Sequence, residues 1–548
     1  MISKLPFLVL AMAISMVIIP LMVRLAPAIG LVDLPSERKV HAIPVPRVGG
    51  IGLVIGSLFP LFISLDLSPL VLSFIYGGTV LFLFGVWDDI HEIGHYPKFV
   101  GQIASAVIVV WYGDLYVTSF PFFEEPLPAV IGMPFSVIAI VGAINAINHS
   151  DGLDGLAGGE SLFSLGAICI LAQLVTGGDI ALSIAVSVMG GILGFLRYNT
   201  HPARVFMGDS GSQFIGFTLA FLTILLTQKV HTELSPSVVL FLFGLPIADI
   251  LVVFYLRSRQ GMNLFRATRN HVHHRLLDLG FVHRESVIII YSVQMIFVTT
   301  GIVLREQPDI LLVLLYLIYC ALLFGALYLA ERTGWSKQRS GAEGESKVMT
   351  HEVLKNLLVV LPRRFMSVSI PLFLIGGSLL VTSVPRDFAI IAYLVSALII
   401  IDLFSSKGQQ SIMRRALIYI LAAQVGYLWN EFSPTSILGG FTEAIEFMLF
   451  ILLVIAFVAA VKFSPGRRKI EFEVTATDYL IVFCLLALLI VSNAGMFGTG
   501  WVIFVAQMII IFYVCELLIT EKRAGLSWLS LASLVTGIIL GTRGMFLG

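Results

Sequence analysis

An all-α, polytopic integral membrane protein is the fold class this sequence predicts. The chain is 58% hydrophobic and only 12% charged, about half the ~25% charged content of soluble domains. Apolar runs of roughly 18–22 residues recur from end to end, the length that crosses a hydrocarbon core as a helix. Lys and Arg collect in alternate loops, the asymmetry that orients such helices in a bilayer. The formal net charge is zero, so no global field points to nucleic acid as a partner.

Taken in order, the apolar windows place about eleven spanning helices before residue 330, starting near residues 5, 48, 69, 98, 128, 160, 180, 211, 236, 285 and 309. About seven more follow residue 368, starting near 369, 387, 414, 443, 477, 498 and 526. The first run, Pro6 to Val23, is too long for a signal-peptide core and lacks a small-residue cleavage site, so it reads as a retained signal anchor. Glu331 to Arg364 is the longest polar stretch and carries Lys337, Arg339, Lys347, Lys355, Arg363 and Arg364. The expected division is a membrane domain over 1–330, a linker over 331–368 and a second membrane domain over 369–548. Cys169, Cys320, Cys484 and Cys515 lie inside apolar runs without metal-ligand spacing and read as packing residues.

Basic residues fill the loops Arg24–Arg47, Arg257–Arg284, the 331–364 linker, Lys407–Arg415, Lys462–Lys469 and Lys522–Arg523. The opposite loops carry Asp66, Glu124, Glu125, Asp179 and Glu431. The positive-inside rule assigns the basic set to the cytoplasm and the N-terminus to the outside. The polar motifs then all fall at the cytoplasmic face, although most of their residues are acids, amides or histidines that had no part in that assignment.

The most informative motif is Asn145-Ala-Ile-Asn-His-Ser-Asp-Gly-Leu-Asp-Gly-Leu-Ala-Gly-Gly159. Asn148, Asp151 and Asp154 offer oxygen ligands to a hard cation, and the glycines let the backbone approach a phosphate. Gly85-Val-Trp-Asp-Asp89 closes the third helix, and Lys98 opens the fourth. Adjacent carboxylates on a helix point about 100° apart, which predicts separate tasks for Asp88 and Asp89. Both lie at a C-terminal end whose dipole disfavours negative charge, so they need compensation; a merely solvated terminus is the alternative.

Pro202-Ala-Arg-Val-Phe-Met-Gly-Asp-Ser-Gly211 precedes the eighth helix. Free amides there would receive a phosphate, and Asp209 would hold Mg²⁺. Phe206 would stack a planar base or, in the plainer reading, sit at the membrane interface. Asp249 is a carboxylate inside an apolar helix, where it marks a functional site or pairs with Arg257 or Arg204. Asn270-His-Val-His-His-Arg275 occupies the long basic loop. On a helix His271 and His274 share a face and His273 points away. Zinc would need further ligands nearby; phosphate or sugar contact beside Arg266, Arg269 and Arg275 fits better. Asp33 to Gly50 supplies Arg38, Lys39, His41 and Arg47 as anion-holding groups, or as an ordinary basic loop.

Together and in this order the motifs resemble the polyprenyl-phosphate N-acetylhexosamine-1-phosphate transferases, glycosyltransferase family 4, over residues 1–330. His271, His273 and His274 match the loop of the branch that uses UDP-N-acetylglucosamine. The resemblance implies a catalytic membrane domain over 1–330 and an accessory one over 369–548. It implies transfer of N-acetylhexosamine-1-phosphate, GlcNAc-1-phosphate first, from a UDP-sugar to undecaprenyl or another polyprenyl phosphate, with release of UMP. It implies Mg²⁺, or Mn²⁺ in its place, on Asp209 with Asn148 assisting. Phe206 and Asp154 would bind uracil and Lys98 the phosphates. Asp88 would be the base toward the lipid phosphate with Asp89 beside it, and the histidine loop would cover the donor sugar and pyrophosphate. Asp151 and Arg275 complete the expected donor-binding set. The implied setting is a bacterial inner membrane with the site facing the cytoplasm, and a homodimer is left open. Two departures, His149-Ser150 after Asn148 and Thr268 in place of a common acid, lie near the donor contacts. UDP-MurNAc-pentapeptide or a modified N-acetylhexosamine is the alternative donor. A transporter or a non-catalytic scaffold is the alternative class, but a transporter's site belongs near the midplane rather than at one face.

Overall fold

The computed structural model describes residues 4–33, 44–123, 125–231, 233–262, 270–335, 361–405, 412–432 and 528–547, with scattered positions between 507 and 518. These residues form seventeen helices and one two-stranded antiparallel ribbon. They fall into two compact units, divided between residues 335 and 361.

The first unit runs α1 (Leu5–Ile29), β1 (Val32–Asp33), β2 (Val45–Pro46), α2 (Gly49–Ser64), α3 (Pro69–His91), α4 (His95–Val107) and α5 (Ala129–Ser150). It continues α6 (Leu156–Gln173), α7 (Asp179–Asn199), α8 (Gly208–Leu225), α9 (Val238–Phe243), α10 (Leu245–Arg259), α11 (Val272–Asp278), α12 (His283–Val303) and α13 (Asp309–Arg332). Nine helices among the described residues are long and apolar enough to cross a bilayer, eight of them in this unit. The protein is an all-α, multi-pass membrane protein.

Local chemistry explains the element ends. Ser68 caps α3 by accepting from Val71 N–H, and Pro69 begins the helix where its missing N–H costs nothing. The segment expected near residue 98 is a thirteen-residue helix that widens into a π-helical turn, Ile108–Tyr112. The single helix expected near 236 is two, broken at Gly244, whose φ of +54° favours glycine. The freed backbone groups are satisfied, as a lipid setting demands. Gln294 Oε1 accepts from Leu245 N–H at 2.9 Å, and Tyr316 O–H donates to the Gly244 carbonyl at 2.9 Å.

Burial sorts the helices. The spanning window of α8 is wholly enclosed by protein and that of α6 is 89% buried, whereas those of α1 and α13 are 17% buried. Helix α3 lies against α8 so closely that a Cβ on Gly85 would come within 2.4 Å of the Ser210 Cα. Further along, Phe74 stacks on Phe217 with ring centroids 5.6 Å apart. Close approach through small residues is how helices associate where burial in lipid gives no hydrophobic drive.

The second unit contains α14 (Leu361–Leu380), α15 (Arg386–Ser405), α16 (Ile412–Phe432) and α17 (Trp528–Thr542). Ile370, Leu374, Ile399, Leu421 and Leu540 belong to its core. The Arg543 guanidinium donates to the Ser378 carbonyl at 2.9 Å and also to Leu379 and Val381, capping the C-terminal end of α14. Helix α14 begins inside the segment read as a linker. The expected spans near 443 and 477, all but scattered positions of the one near 498, Cys484, and the linker's Lys337, Arg339, Lys347 and Lys355 lie outside the described residues.

Candidate active site

The C-terminal ends of α3, α5 and α7 and the N-terminal ends of α4, α8 and α12 meet at one end of the first unit around a cavity of about 740 Å³. Asp88, Asp89, Lys98, Asn148, Asp151, Asp154, Phe206, Asp209 and His274 all line it. Residues up to 186 positions apart thus converge on one space, as the motifs together require.

Its acidic end is built on α3 and α8. Lys98 Nζ lies 2.7 Å from Asp88 Oδ2 and 2.7 Å from Asp209 Oδ2, bridging the two carboxylates. Asp89 accepts from the backbone N–H groups of Asp209 at 2.8 Å and Ser210 at 3.1 Å. One expectation is corrected here: the Asp209 and Ser210 amides of α8 are not free for a phosphate, because Asp89 already takes them. Asp88 and Asp89 keep separate partners, as expected, although one oxygen of each, with one of Asp209, lies within 4.8 Å of the others. The charge problem at the end of α3 is resolved as physics requires. Lys98 compensates Asp88, and the positive N-terminal end of α8 compensates Asp89.

Asn148 donates to Asp209 Oδ1 at 3.2 Å and to Ser212 Oγ at 2.8 Å. Gln213 donates to Asp209 Oδ2 at 2.9 Å. Asp209 is therefore held by a lysine and two amides, next to two further carboxylates. An all-oxygen carboxylate and amide set of this kind suits a hard divalent cation rather than zinc.

Asp151 sits on the loop between α5 and α6, and burial, then the charges of Asp209, Asp89 and Asp154, push its carboxyl up to about 7. Asp154 turns to the other wall. Its Oδ2 lies 2.7 Å from His201 Nδ1 and accepts from Ala203 N–H at 3.0 Å, while its own N–H donates to His283 Nε2 at 3.0 Å. The His201 and His283 rings stack with centroids 4.0 Å apart. Phe206 also lines the cavity.

The histidine motif is arranged differently from the expectation. His271 precedes α11 in extended conformation, so it shares no helical face with His274. Its Nδ1 lies 2.7 Å from Asp249 Oδ2, and Asp249 Oδ1 accepts from Val272 N–H at 2.9 Å. Asp249 thus ties the loop to α10. His271 stacks between His149 at 5.2 Å and His273 at 5.7 Å. His273 is buried against Gly152, where an added Cβ would come within 2.1 Å of its Nε2. Burial first, then the neighbouring His274, His271 and His149, depress its basicity well below the usual range.

Two expected anion holders are otherwise engaged. Arg275 forms a two-pronged pair with Glu331, Nε at 2.6 Å and Nη2 at 3.0 Å, and does not line the cavity. Arg47 lines it but pairs with Asp33 and, at 3.4 Å, with Glu92. Arg38, Lys39, His41, Arg266 and Arg269 lie outside the described residues. His201, His283, Gln102 and Gln213 were missed by sequence reasoning. His201 directly precedes a motif read as starting at Pro202, and His283 opens α12 as an ionisable residue at an apolar helix boundary, which is the signal that could have found it.

Residues 71–227 match the description "Glycosyl transferase family 4". The chain is 34% identical over 325 residues to the probable undecaprenyl-phosphate N-acetylglucosaminyl 1-phosphate transferase of Bacillus subtilis, covering 58% of this chain and 89% of that protein. It is 34% identical over 298 residues to the decaprenyl-phosphate N-acetylglucosaminephosphotransferase of Mycobacterium tuberculosis, covering 49% and 74% respectively. Against the undecaprenyl-phosphate alpha-N-acetylglucosaminyl 1-phosphate transferase of Escherichia coli K12 the identity is 31% over 307 residues, covering 54% and 83%. A likeness extending over most of each relative, with its motifs gathered around one cavity, assigns the chain to glycosyl transferase family 4.

Proposed function

We propose that this protein transfers N-acetylglucosamine-1-phosphate from UDP-GlcNAc to undecaprenyl phosphate or a related polyprenyl phosphate and releases UMP. The observation that carries the reading is the likeness to the Bacillus subtilis enzyme over 89% of its length. The cavity supports it by combining Lys98 and a carboxylate cluster with the aromatic Phe206 in one lining, as a nucleoside diphosphate sugar requires. In the reaction an oxygen of the lipid phosphate attacks the sugar-bearing phosphorus of the donor. The bond from that phosphorus to the oxygen bridging the two donor phosphates breaks, and UMP leaves carrying the bridging oxygen.

Such transfer depends on positioning and charge neutralisation more than on covalent chemistry by the protein. Lys98 would hold donor phosphate, drawn from its present bridge between Asp88 and Asp209. Asp88 faces the lipid phosphate as base, and Asp89 fixes the start of α8. Mg²⁺ or Mn²⁺, held by Asp209 and Asn148 within reach of Asp88 and Asp89, would supply Lewis-acid neutralisation of the phosphate charge. Phe206 and Asp154 would receive the uracil, with His274 over the donor. The alternating basic loops support a cytoplasmic orientation of the site, and the bacterial relatives support an inner-membrane setting. Residues 1–330 would carry the chemistry, and 369–548 would be an accessory membrane domain.

The test is to incubate membranes holding the protein with radiolabelled UDP-GlcNAc, Mg²⁺ and undecaprenyl phosphate. A lipid-soluble labelled product together with UMP is expected. No such product with UDP-GlcNAc, but one with another UDP-N-acetylhexosamine, would move the donor assignment; none with any donor would overturn the reaction class.

A further inference from the structure

Behind Asp209 a line of three side-chain amides runs across α8, α4 and α5. Gln213 Nε2 donates to Asp209 Oδ2 at 2.9 Å, Gln102 Nε2 donates to Gln213 Oε1 at 3.2 Å, and Asn145 Nδ2 donates to Gln102 Oε1 at 2.8 Å. Gln102 and Gln213 are each 2% exposed, so the bond between them is shielded from water. An amide can in general be turned end for end, but both ends of this line prevent it. Asn145 also donates to the Val141 backbone carbonyl at 2.8 Å, and a carbonyl can only accept. The ionised Asp209 carboxylate at the other end likewise only accepts. With both amide hydrogens of Asn145 placed, Gln102 must turn its oxygen to Asn145 and its nitrogen to Gln213. Gln213 must then turn its nitrogen to Asp209.

We propose that Asn145, Gln102 and Gln213 form a one-way amide relay that orients the Asp209 carboxylate for a divalent cation. The three are positioning residues, acting on the cation only through Asp209. Each donor in the line points toward the charge, so the bonds polarise in one sense and stabilise the ionised form. The Gln213 bond also fixes the plane of the carboxylate from the side of the helix bundle, while Lys98 and Asn148 approach it from the cavity. Breaking the line at Gln102 leaves the buried Gln213 carbonyl without its donor, so the side chain that fixes the carboxylate is no longer held itself. This inference rests on the functional reading only in taking Asp209 as a cation-holding residue.

The experiment is Mn²⁺ binding to the purified full-length protein by electron paramagnetic resonance, with melting temperature as a control for folding. Gln213→Leu and Gln102→Met should each weaken Mn²⁺ binding on the order of tenfold, the lower range for residues that orient metal ligands. The double variant should bind no more weakly than Gln213→Leu alone, because both changes interrupt one line. Unchanged affinity in Gln102→Met, or a double loss equal to the product of the single losses, overturns the relay. If Gln102→Met does not fold, Asn145→Ser, farther from Asp209, is read by the same two criteria. Wild-type protein that binds Mn²⁺ in this relay-dependent way yet transfers no sugar phosphate would overturn the proposed reaction and leave the relay standing. Wild-type protein that binds no Mn²⁺ would overturn the relay itself.

Discussion

Asp89 holds Asp209 by its backbone: the Asp209 N–H donates to Asp89 Oδ1 at 2.8 Å, across 120 residues of sequence. With the second bond, from Ser210 N–H, one carboxylate fixes the first turn of α8 against the last turn of α3. Its partner Asp88 instead meets Lys98 and caps the turn at Ile93 N–H. Adjacent acids thus have different duties, one structural toward α8 and one facing the cavity cation.

Replacing Asp89 should therefore lower stability and activity together. Asp89→Ala leaves two N–H groups of α8 without an acceptor, at about 1–3 kcal/mol for each buried group. Asp89→Asn keeps one acceptor oxygen and should fall between Ala and wild type. Melting temperatures of the purified variants give the order, and an Asp89→Ala protein as stable as wild type would contradict it.

Asp209→Asn should leave insertion and yield intact while turnover falls on the order of a hundredfold or more, the scale of losing a charged ligand in a metal-assisted step. The assay is product formation across a range of Mg²⁺ concentrations. Near-wild-type turnover would remove Asp209 from the cation site.

Asp249→Asn should loosen His271. The Val272 N–H can still be accepted, but the charged partner of His271 Nδ1 is gone. Losing a hydrogen bond to a charged group costs about 1.5–3 kcal/mol, which predicts roughly a tenfold to hundredfold fall in kcat/KM for the UDP-sugar. A wild-type value would detach the His271 loop from donor binding.

Asp151 gives a pH dependence with a definite sign. Its carboxyl is pushed up to about 7 in the folded protein, against about 3.9 in an unfolded chain. Between those values the folded state binds more protons, so stability is greatest at the acid end and declines as pH rises toward 7. Melting temperature measured without divalent cation should fall across this window, and Asp151→Asn should flatten the fall. A slope unchanged by that substitution would assign it to other groups.

A chain ending at residue 335 should insert and retain Mg²⁺-dependent transfer, because every cavity-lining residue among those described precedes that point. The measurement is sugar-phosphate transfer by the truncated protein in membranes. A well-inserted, monodisperse truncation that binds the UDP-sugar without turning it over would make 369–548 part of the enzyme.

Much of this was legible in sequence, because length and apolarity locate a spanning helix without knowledge of its neighbours. Helices α1, α3, α5, α7, α12 and α13 begin within a residue or two of the expected starts. The break at Gly244 was not legible, since its repair by Gln294 and Tyr316 comes from helices 50 and 72 residues away. The same holds in the cavity. Asp88, Lys98, Asn148 and Asp209 each stood out as polar residues at apolar boundaries, but which atom meets which is set by packing. Asp249 stood out as an acid in an apolar helix, yet its partner His271 was not among those weighed. Gln102 and Gln213 carry no charge and follow no motif, so nothing short of their mutual contact reveals them.

The full enclosure of α8 bears on how the protein is made. A helix that ends its assembly touching no acyl chain derives little security from the bilayer itself. The glutamine and serines that serve the cavity make α8 a poorer passenger on its own than α1 or α13, which mostly face outward. Biogenesis should therefore depend on companions: α3 and α5 emerge from the ribosome earlier and are ready to receive α8. Substitutions that weaken their grip on it, such as a larger side chain at Gly85, should surface first as rapid proteolytic clearance of newly made chains rather than as a slower enzyme.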